Sequence, residues 1–195
     1  AVAGSMRVAS VGLLVVVGAA ALGVGVPLLR AAMMKGPAEY GAWSLTLGAA
    51  WILVAGAGAS LRAFEAADAT GLRSAFLAWM PILGAAGVGQ LFVGALTYLM
   101  PVVIGGGPSA VRVGVGVLEA GAPIREAARN VAALFALSVA SLEGIPAERL
   151  TIAAWVVLLA TYVVDIVLLG RGGVAQARAK RAAQSPTTTQ GGRRG

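Results

Sequence analysis

Residues 150–170 read LTIAAWVVLLATYVVDIVLLG, and Asp165 is the only charged side chain in this stretch. A helix needs roughly 20 consecutive apolar residues to cross the hydrocarbon core of a bilayer. This stretch is long enough to do so. It therefore predicts a membrane-spanning helix.

Long apolar stretches recur along the chain. Three more are long enough to span a bilayer, and a fifth is borderline because its clean apolar run begins only at Val131. Only 12% of the 195 residues are charged, against about 25% in a soluble domain. Helices satisfy their own backbone within lipid, and these stretches are too long for barrel strands. We therefore predict an all-α integral membrane bundle in residues 1–170, with about five transmembrane helices at 8–29, 41–61, 75–100, 123–142 and 150–170.

Basic residues divide the connecting segments into two groups. Eleven lie on the side of the C-terminal tail and four on the opposite side. The positive-inside rule then places the N-terminus outside and the C-terminus in the cytoplasm. Because this asymmetry accounts for most of the net charge of +7, we expect a lipid bilayer as partner and no nucleic acid. The excess of Ala, Gly and Val fits a GC-rich bacterial genome, so we predict a multi-pass protein of the bacterial inner membrane.

The tail from Arg171 onward has a different composition. It is polar and basic, and it contains too little apolar surface to order itself. We predict a mostly disordered cytoplasmic tail over residues 171–195, with a short helical continuation to about Ala183 as an alternative. Its basic cluster could contact anionic lipid, at about 1 kcal/mol per residue near the surface, or act only as a solvated topogenic tail.

Residues 101–119, PVVIGGGPSAVRVGVGVLE, join the third and fourth predicted spans. A phosphate-binding loop would need a strand before the glycines and Lys-Ser or Lys-Thr after them, whereas Pro-Ser follows here. We expect Pro101 to end the third helix and Ser109 to cap a short helix over 109–120 on the cytoplasmic membrane surface. The alternating valines also fit a strand, but a lone strand would have no partner.

Two patterns suggest how the helices pack. Small residues stand four apart at several places, a spacing that lets helix backbones approach closely. Several aromatic residues lie near predicted helix ends, where their rings suit the membrane interface. The small pairs are Ala19 with Gly23, Ser44 with Gly48, Gly56 with Ser60, and Ala85 with Gly89; the aromatic residues are Tyr40, Trp43, Trp79 and Trp155.

Asp165 is the candidate functional residue, because an acidic side chain at membrane depth is costly and needs a partner. Arg129 and Asp165 lie at about 20 and 22 Å from the turn between the last two helices, so we predict an ion pair. Arg125 lies one turn nearer the cytoplasm on the same face. Structural pairing, a proton or substrate role, and separate solvation near the interface remain as alternatives. The expected polar network also includes Asn130, Thr161 and Tyr162.

A second polar stripe lies on the third predicted helix. Gln90, Gly94 and Thr97 share one face by their i, i+4, i+7 spacing. Thr97 and Tyr98 fall in the same half of the membrane as Asp165, so these side chains could line one small polar pocket. We favour the interpretation that they form hydrogen bonds between helices, each worth about 0.6 kcal/mol.

The chain contains neither cysteine nor histidine. Thiolate and imidazole metal sites are therefore excluded within it, as is the usual haem ligand. We predict no catalytic residue, no metal ligand and no cofactor in this chain. Hydrolase and transferase interpretations lack a nucleophile–base constellation.

Residues 89–132 carry a family resemblance. Their core, GALTYLMPVVIGGGPSAVR at 94–112, resembles the polytopic membrane region of actinobacterial copper oxidases and copper-containing nitrite reductases. Residues 26–56 are similar to the same family, and the resemblance covers roughly 20–165. It implies a membrane region joined to a cupredoxin-type domain that holds the copper. Only the C-terminal part of that region is present, so no ligand can be transferred to this chain.

Two classes of function follow from these observations. The first is the scaffold or anchor portion of a copper-linked redox membrane protein, as a fragment without an active site of its own, with copper in a missing domain or a partner. The second is a small transporter or channel component that uses Asp165 and the Gln90–Thr97 stripe as a polar path. An accessory subunit of a respiratory complex, acting through contacts with other membrane subunits, is a further alternative.

Overall fold

A computed structural model describes residues 2–35, 39–139 and 145–185 of the chain. Within these residues it is all-α, which confirms the predicted class, and it contains no strand. Two π-helical segments, Ala21–Gly25 and Ile82–Val88, join neighbouring α-helices, so the elements form six continuous helices. The α-helices are α1 (Val2–Ala20), α2 (Val26–Lys35), α3 (Tyr40–Glu65), α4 (Ala69–Pro81), α5 (Gly89–Ile104), α6 (Gly107–Leu118), α7 (Ala122–Val139) and α8 (Ile145–Gln184).

Four of the helices are long and apolar enough to cross a membrane. They cover Arg7–Lys35, Tyr40–Glu65, Ala69–Ile104 and Ala147–Gln184, so the chain has the composition of a multi-pass membrane protein. The fourth predicted span, 123–142, corresponds to α7, which is not among them. It is 18 residues long and carries three charged side chains, so length and composition alone support four spans rather than five. The end of that predicted span, at 140–142, lies outside the described residues.

The first three long helices run antiparallel to one another in turn, whereas α8 runs parallel to α5, with Tyr162 beside Ala85 and Gln176 beside Pro101. The first helix, α1–α2, lies along α3 with Arg7 over the ring of Phe64 and Leu28 accepting a hydrogen bond from Thr46. Near the other end of α3, Gly41 lies beside Tyr98 of α5. Side-chain bonds place the C-terminal ends of α2, α5 and α8 and the start of α7 at one end of the bundle. We call it the basic end because Lys35, Lys180 and Arg171 lie there.

Glycines bring the backbones of α3 and α5 close together. A Cβ atom added to Gly48 would lie 2.8 Å from the backbone nitrogen of Leu91 and 2.9 Å from the carbonyl oxygen of Gly87. One added to Gly94 would lie 3.0 Å from the backbone nitrogen of Leu45. Small residues thus bring the two backbones into contact, the packing mode that replaces the hydrophobic effect inside a bilayer.

The buried core lies on the far side of α3 from the first helix. It combines side chains of α3, α7 and α8 with the π-helical segment that follows Pro81. Trp51 and Leu158 are its largest fully packed members, and several alanines complete it. Trp79 and Trp155, expected at the interface, pack against this core as partly buried residues.

The glycine-rich junction differs from its prediction in two ways. Helix α5 continues past Pro101 to Ile104, so this proline does not end the helix. The helix ends instead at Gly105, where φ is +65°. The predicted cap Ser109 lies inside α6, and the N-cap is Gly106 with φ of +105°. Positive φ angles favour glycine, so the glycines terminate one helix and start the next.

Residues 171–184 correct the prediction of a mostly disordered tail. They are helical, as the alternative of a short continuation to about Ala183 allowed, and they extend α8 beyond the bundle. Gln176 donates to the carbonyl oxygens of Pro101 (2.8 Å) and Gly105 (2.9 Å), and Lys180 donates to that of Ile104 (2.9 Å). These side chains satisfy the carbonyl groups that the end of α5 leaves open. Residues 186–195 lie outside the described part of the chain.

The predicted short helix at 109–120 is confirmed as α6, which covers Gly107–Leu118. It packs antiparallel on the extension of α8 through Ala110, Gly114 and Leu118, all of which are buried. Gly172 approaches the carbonyl oxygen of Gly114, and a Cβ atom there would lie 3.2 Å from it. Residues 171–184 are therefore held by a tertiary contact between small residues, which their composition alone did not indicate.

Candidate functional site

Asp165 lies at the centre of a buried polar cluster. Its side chain is 1% exposed and accepts hydrogen bonds from three donors on two other helices. Nη1 of Arg125 lies 2.5 Å from Oδ1, while Nη2 of Arg129 and the hydroxyl of Tyr40 (2.7 Å) both donate to Oδ2. The carboxylate is thus fully engaged inside the protein.

The structure brings Arg129 and Arg125 together at this carboxylate. Arg129 is 0% exposed, its Nε donates to the Thr161 hydroxyl at 2.9 Å, and its guanidinium lies 4.2 Å from the centre of the Tyr162 ring. The Tyr162 hydroxyl in turn donates to the carbonyl oxygen of Ala85. Arg129 is therefore held by an ion pair, a hydroxyl and an aromatic face at once.

Arg125 is held in the same way as Arg129, one helical turn nearer the basic end. Its Nη2 donates to the carbonyl oxygen of Leu118 at 2.5 Å, and its guanidinium lies 4.3 Å from the centre of the Tyr40 ring. The side chain thus connects the end of α6 to Asp165 of α8. Because both arginines are buried, neither snorkels to solvent.

Sequence reasoning missed Tyr40 and Glu126 as members of the cluster. Tyr40 was expected at the interface, but it is 2% exposed and bonded to Asp165. It begins α3 next to the start of α7, a placement that only the packing of the two helices decides. Glu126 had a weak signal in the sequence: it stands four residues before Asn130, so the two share a helix face.

Glu126, Asn130 and Trp51 form the second half of the polar core. The side-chain amide of Asn130 donates to Oε2 of Glu126 at 3.3 Å and to the backbone carbonyl oxygen of Glu126 at 2.8 Å. Nε1 of Trp51 donates to Oδ1 of Asn130 at 2.6 Å. Oε1 of Glu126 has no partner among the described residues, although the residue is only 7% exposed. The whole cluster therefore balances two arginines against two carboxylates, one of which is only partly bonded.

A groove of about 230 Å³ between α3 and α7 leads to the Glu126 carboxylate. Tyr40, Trp43 and Leu47 line it from α3, and Ala122, Pro123 and Glu126 line it from α7. Its walls are otherwise apolar. A water molecule or a small donor in this groove would supply the hydrogen bond that Oε1 lacks.

The polar stripe of α5 does not join the Asp165 cluster. Gln90 is 0% exposed, and neither side-chain polar atom has a partner in the described part of the protein. Thr97 donates to the carbonyl oxygen of Val93 in its own helix at 2.9 Å. The stripe faces α3, where Gly94 approaches Leu45, rather than α8. A pocket shared with Asp165 does not appear among the described residues, and the side chains of Gln90 and Thr97 make no bond to another helix there. The Ser44 hydroxyl of α3 does donate to the backbone carbonyl oxygen of Gln90 at 3.1 Å, so one bond between the two helices ends on this stripe.

Tyr98 belongs to a separate cluster at the basic end. Its hydroxyl accepts from Nζ of Lys35 at 2.9 Å and donates to Oε1 of Glu39 at 3.1 Å, and Lys35 also bonds Glu39 at 2.8 Å. The side chains of Lys35 and Glu39 are more exposed than those of the Asp165 cluster. Burial, and then repulsion from Glu39, raises the pKa of Glu119 at the same end.

The polar cluster fixes helices to one another. Asp165, Arg125 and Arg129 face one another, of the cluster's ionisable groups only Tyr40 and Glu126 border the groove, and the bonds to Asp165 join α3, α7 and α8. No group of three or more acidic side chains suited to a metal ion occurs within the described residues. Comparisons with protein-family models, with curated proteins and with solved structures yield no match to this chain.

Proposed function

We propose that this chain is the membrane scaffold of a copper-linked redox protein of the multicopper-oxidase or nitrite-reductase type. In this role it anchors a cupredoxin-type domain, or another membrane subunit that carries the copper, and has no reacting group of its own. The observation that carries the scaffold role is the full engagement of Asp165 by three donors.

The arrangement of the cluster supports a rigid anchor. An ion that moved through this part of the bundle would have to displace Arg125 and Arg129 from a carboxylate that is 1% exposed. Removing a partner from a buried ion pair is strongly unfavourable, so the pair favours one fixed arrangement of helices. A fixed arrangement suits a scaffold better than an alternating-access carrier.

The resemblance of residues 94–112 supports the copper link. These residues form the end of α5, the glycine junction and the first half of α6, which together make one corner of the basic end. The gathering of Lys35, Arg171 and Lys180 at that end also supports a C-terminus in the cytoplasm of a bacterial inner membrane. Labelling of Ser185→Cys from outside intact cells would contradict that orientation.

The copper link is tested on the endogenous assembly. The protein is extracted from its native membrane in a mild detergent, and its intact mass and copper content are measured. The proposal expects copper in a larger parent chain or in a co-purifying subunit, and an Asp165→Asn variant that lowers abundance without lowering copper per assembly. Copper bound stoichiometrically to this chain alone, or no copper in any part of the assembly, would contradict it.

One observation favours a second candidate, a proton or cation transporter. Gln90 and Glu126 are buried and carry unpartnered polar atoms within the described bundle, an arrangement that fits a water-filled path. In liposomes under an imposed gradient, a transporter would show flux that Glu126→Gln abolishes at unchanged folding. Absence of flux above that of protein-free liposomes would leave only the scaffold.

A further inference from the structure

A groove with two arginines lies between α6 and the extension of α8. Its volume is about 380 Å³, and it is lined by Val117 of α6 and by Gly170, Arg171, Val174, Ala175 and Arg178 of α8. The floor is aliphatic, and the only charged groups in the lining are the two guanidinium groups. The groove is thus a cationic cleft with an apolar base.

The two arginines face the same way along α8. They are seven residues apart, which corresponds to about two helical turns and a rise of about 10 Å. Both are exposed, and within the described residues neither forms an ion pair. Two extended side chains at this spacing can converge on an anion placed between them.

The groove lies where α8 leaves its apolar stretch. Arg171 follows the last residue of the 150–170 run, so it marks the level of the membrane–water interface. The walls are fixed, because Gly172 packs against Leu118 and Gln176 bonds the carbonyl oxygens at the end of α5. A rigid cleft at this level meets lipid headgroups rather than the hydrocarbon core.

We propose that this groove binds the headgroup of an anionic phospholipid. The phosphate lies between Arg171 and Arg178, and the glycerol and first acyl carbons rest on Val117 and Val174. Charge complementarity and the level of the groove select this ligand, since two unpaired cations favour net negative charge and the aliphatic floor favours the adjoining carbons. The inference rests on the membrane placement of α8 and is independent of the copper link.

The test uses the full chain in detergent micelles. Retention of added phosphatidylglycerol and of phosphatidylcholine is measured by native mass spectrometry. We expect selective retention of one phosphatidylglycerol, and an Arg171→Gln/Arg178→Gln variant that binds it about 30-fold more weakly. The matched control is Arg62→Gln/Arg73→Gln, which removes the same charge from exposed residues at the opposite end of the bundle and leaves the affinity unchanged.

A second variant keeps the test independent of the arginines. Val117→Glu places a negative charge in the groove while both guanidinium groups remain, so it should also abolish selectivity for phosphatidylglycerol. Arg171→Lys/Arg178→Lys preserves the charge and should retain most of the binding. Equal retention of both lipids by the unmodified chain, or equal loss in the groove and control variants, would overturn the proposal.

Discussion

The first helix and the α7–α8 pair show two ways in which a helix can belong to a membrane bundle. In the first helix, the most apolar window of 18 residues contains no buried residue, whereas 22% of the corresponding window of α8 is buried. Helix α7 is too charged to qualify as a span, yet its Arg125 is buried and its Arg129 is among the most buried side chains of the described residues. Hydropathy therefore measures what a helix presents to lipid, not how strongly it is held in the bundle.

The physical basis of this difference is the type of contact. The first helix touches α3 through Leu28, Gly25 and Val17, mostly with weak dispersion contacts. The α7–α8 pair is held by charge-assisted hydrogen bonds in a low-dielectric interior, where a missing partner is costly. Substitutions should therefore have large effects in the pair and small effects in the first helix.

The largest expected effect is that of Asp165→Ala. It leaves Arg125 and Arg129 buried without their carboxylate, so we expect a loss of about 3–5 kcal/mol in the free energy of unfolding. Unfolding of the purified protein in mixed micelles by increasing SDS measures this loss. Val15→Ala, at a residue of the first helix that is 66% exposed, is the control and should change stability by about 0.5 kcal/mol or less. Equal effects of the two variants would refute the comparison.

Gly48→Ala comes next. The new methyl group would meet backbone atoms of Gly87 and Leu91 at less than 3 Å, so α3 and α5 must separate, at about 1–3 kcal/mol. Gly23→Ala is the matched change in the first helix, where nothing lies within 4 Å of the added Cβ atom. It should be neutral or stabilising, because alanine favours a helix more than glycine does. Thermal unfolding in one detergent would compare them, and a larger loss for Gly23→Ala would contradict the structure.

Two tyrosine-to-phenylalanine substitutions compare the buried cluster with the exposed one. Tyr40→Phe removes the hydroxyl that donates to Asp165 but keeps the ring against Arg125, so we expect a loss of about 1 kcal/mol. Tyr98→Phe removes a hydroxyl that bonds the exposed Lys35 and Glu39, and it should cost less. Chemical unfolding of both variants measures the order, and the reverse order would contradict it.

The smallest effect should be local. Gln176→Ala removes two hydrogen bonds to the end of α5, so the extension of α8 should open more often while the bundle stays folded. Hydrogen exchange of the amides of residues 171–184 should accelerate several-fold, with little change at 150–165. Gln184→Ala, at an exposed residue, is the control and should leave exchange in this region unchanged.

The sequence was a good guide to the apolar helices and a poor one to their ends. Four of the predicted spans lie in helices of the required length and composition. They could be predicted because the length and apolar composition of one segment decide whether it can cross the bilayer. The end of α5 was placed at Pro101, whereas the helix continues to Ile104 and Gly105 is its C-cap. That difference arose because Gln176, seventy-one residues further along the chain, provides partners for the terminal carbonyl groups.

The candidate site shows the same division. Equal depth in adjoining helices was enough to predict that Arg129 and Asp165 would meet, and the helix period placed Arg125 beside them. Tyr40 could not be predicted, because its contact with Asp165 crosses from α3 to α8. For Gln90 and Thr97 the shared face was predicted but the facing helix was left open, since a periodic face does not reveal which helix it meets, and the structure places them against α3.

The amino-acid sequence by itself determined the membrane-helical class, the absence of cysteine and histidine chemistry, and the need of Asp165 for a cation. These properties depend on composition and on spacing within one helix. Only the tertiary structure decided that two arginines and a tyrosine share that carboxylate, that one oxygen of Glu126 has no partner among the described residues, and that residues 171–184 pack against α6. Those outcomes depend on which helices pack side by side, because hydrogen bonds and close backbone contacts act over only a few ångströms.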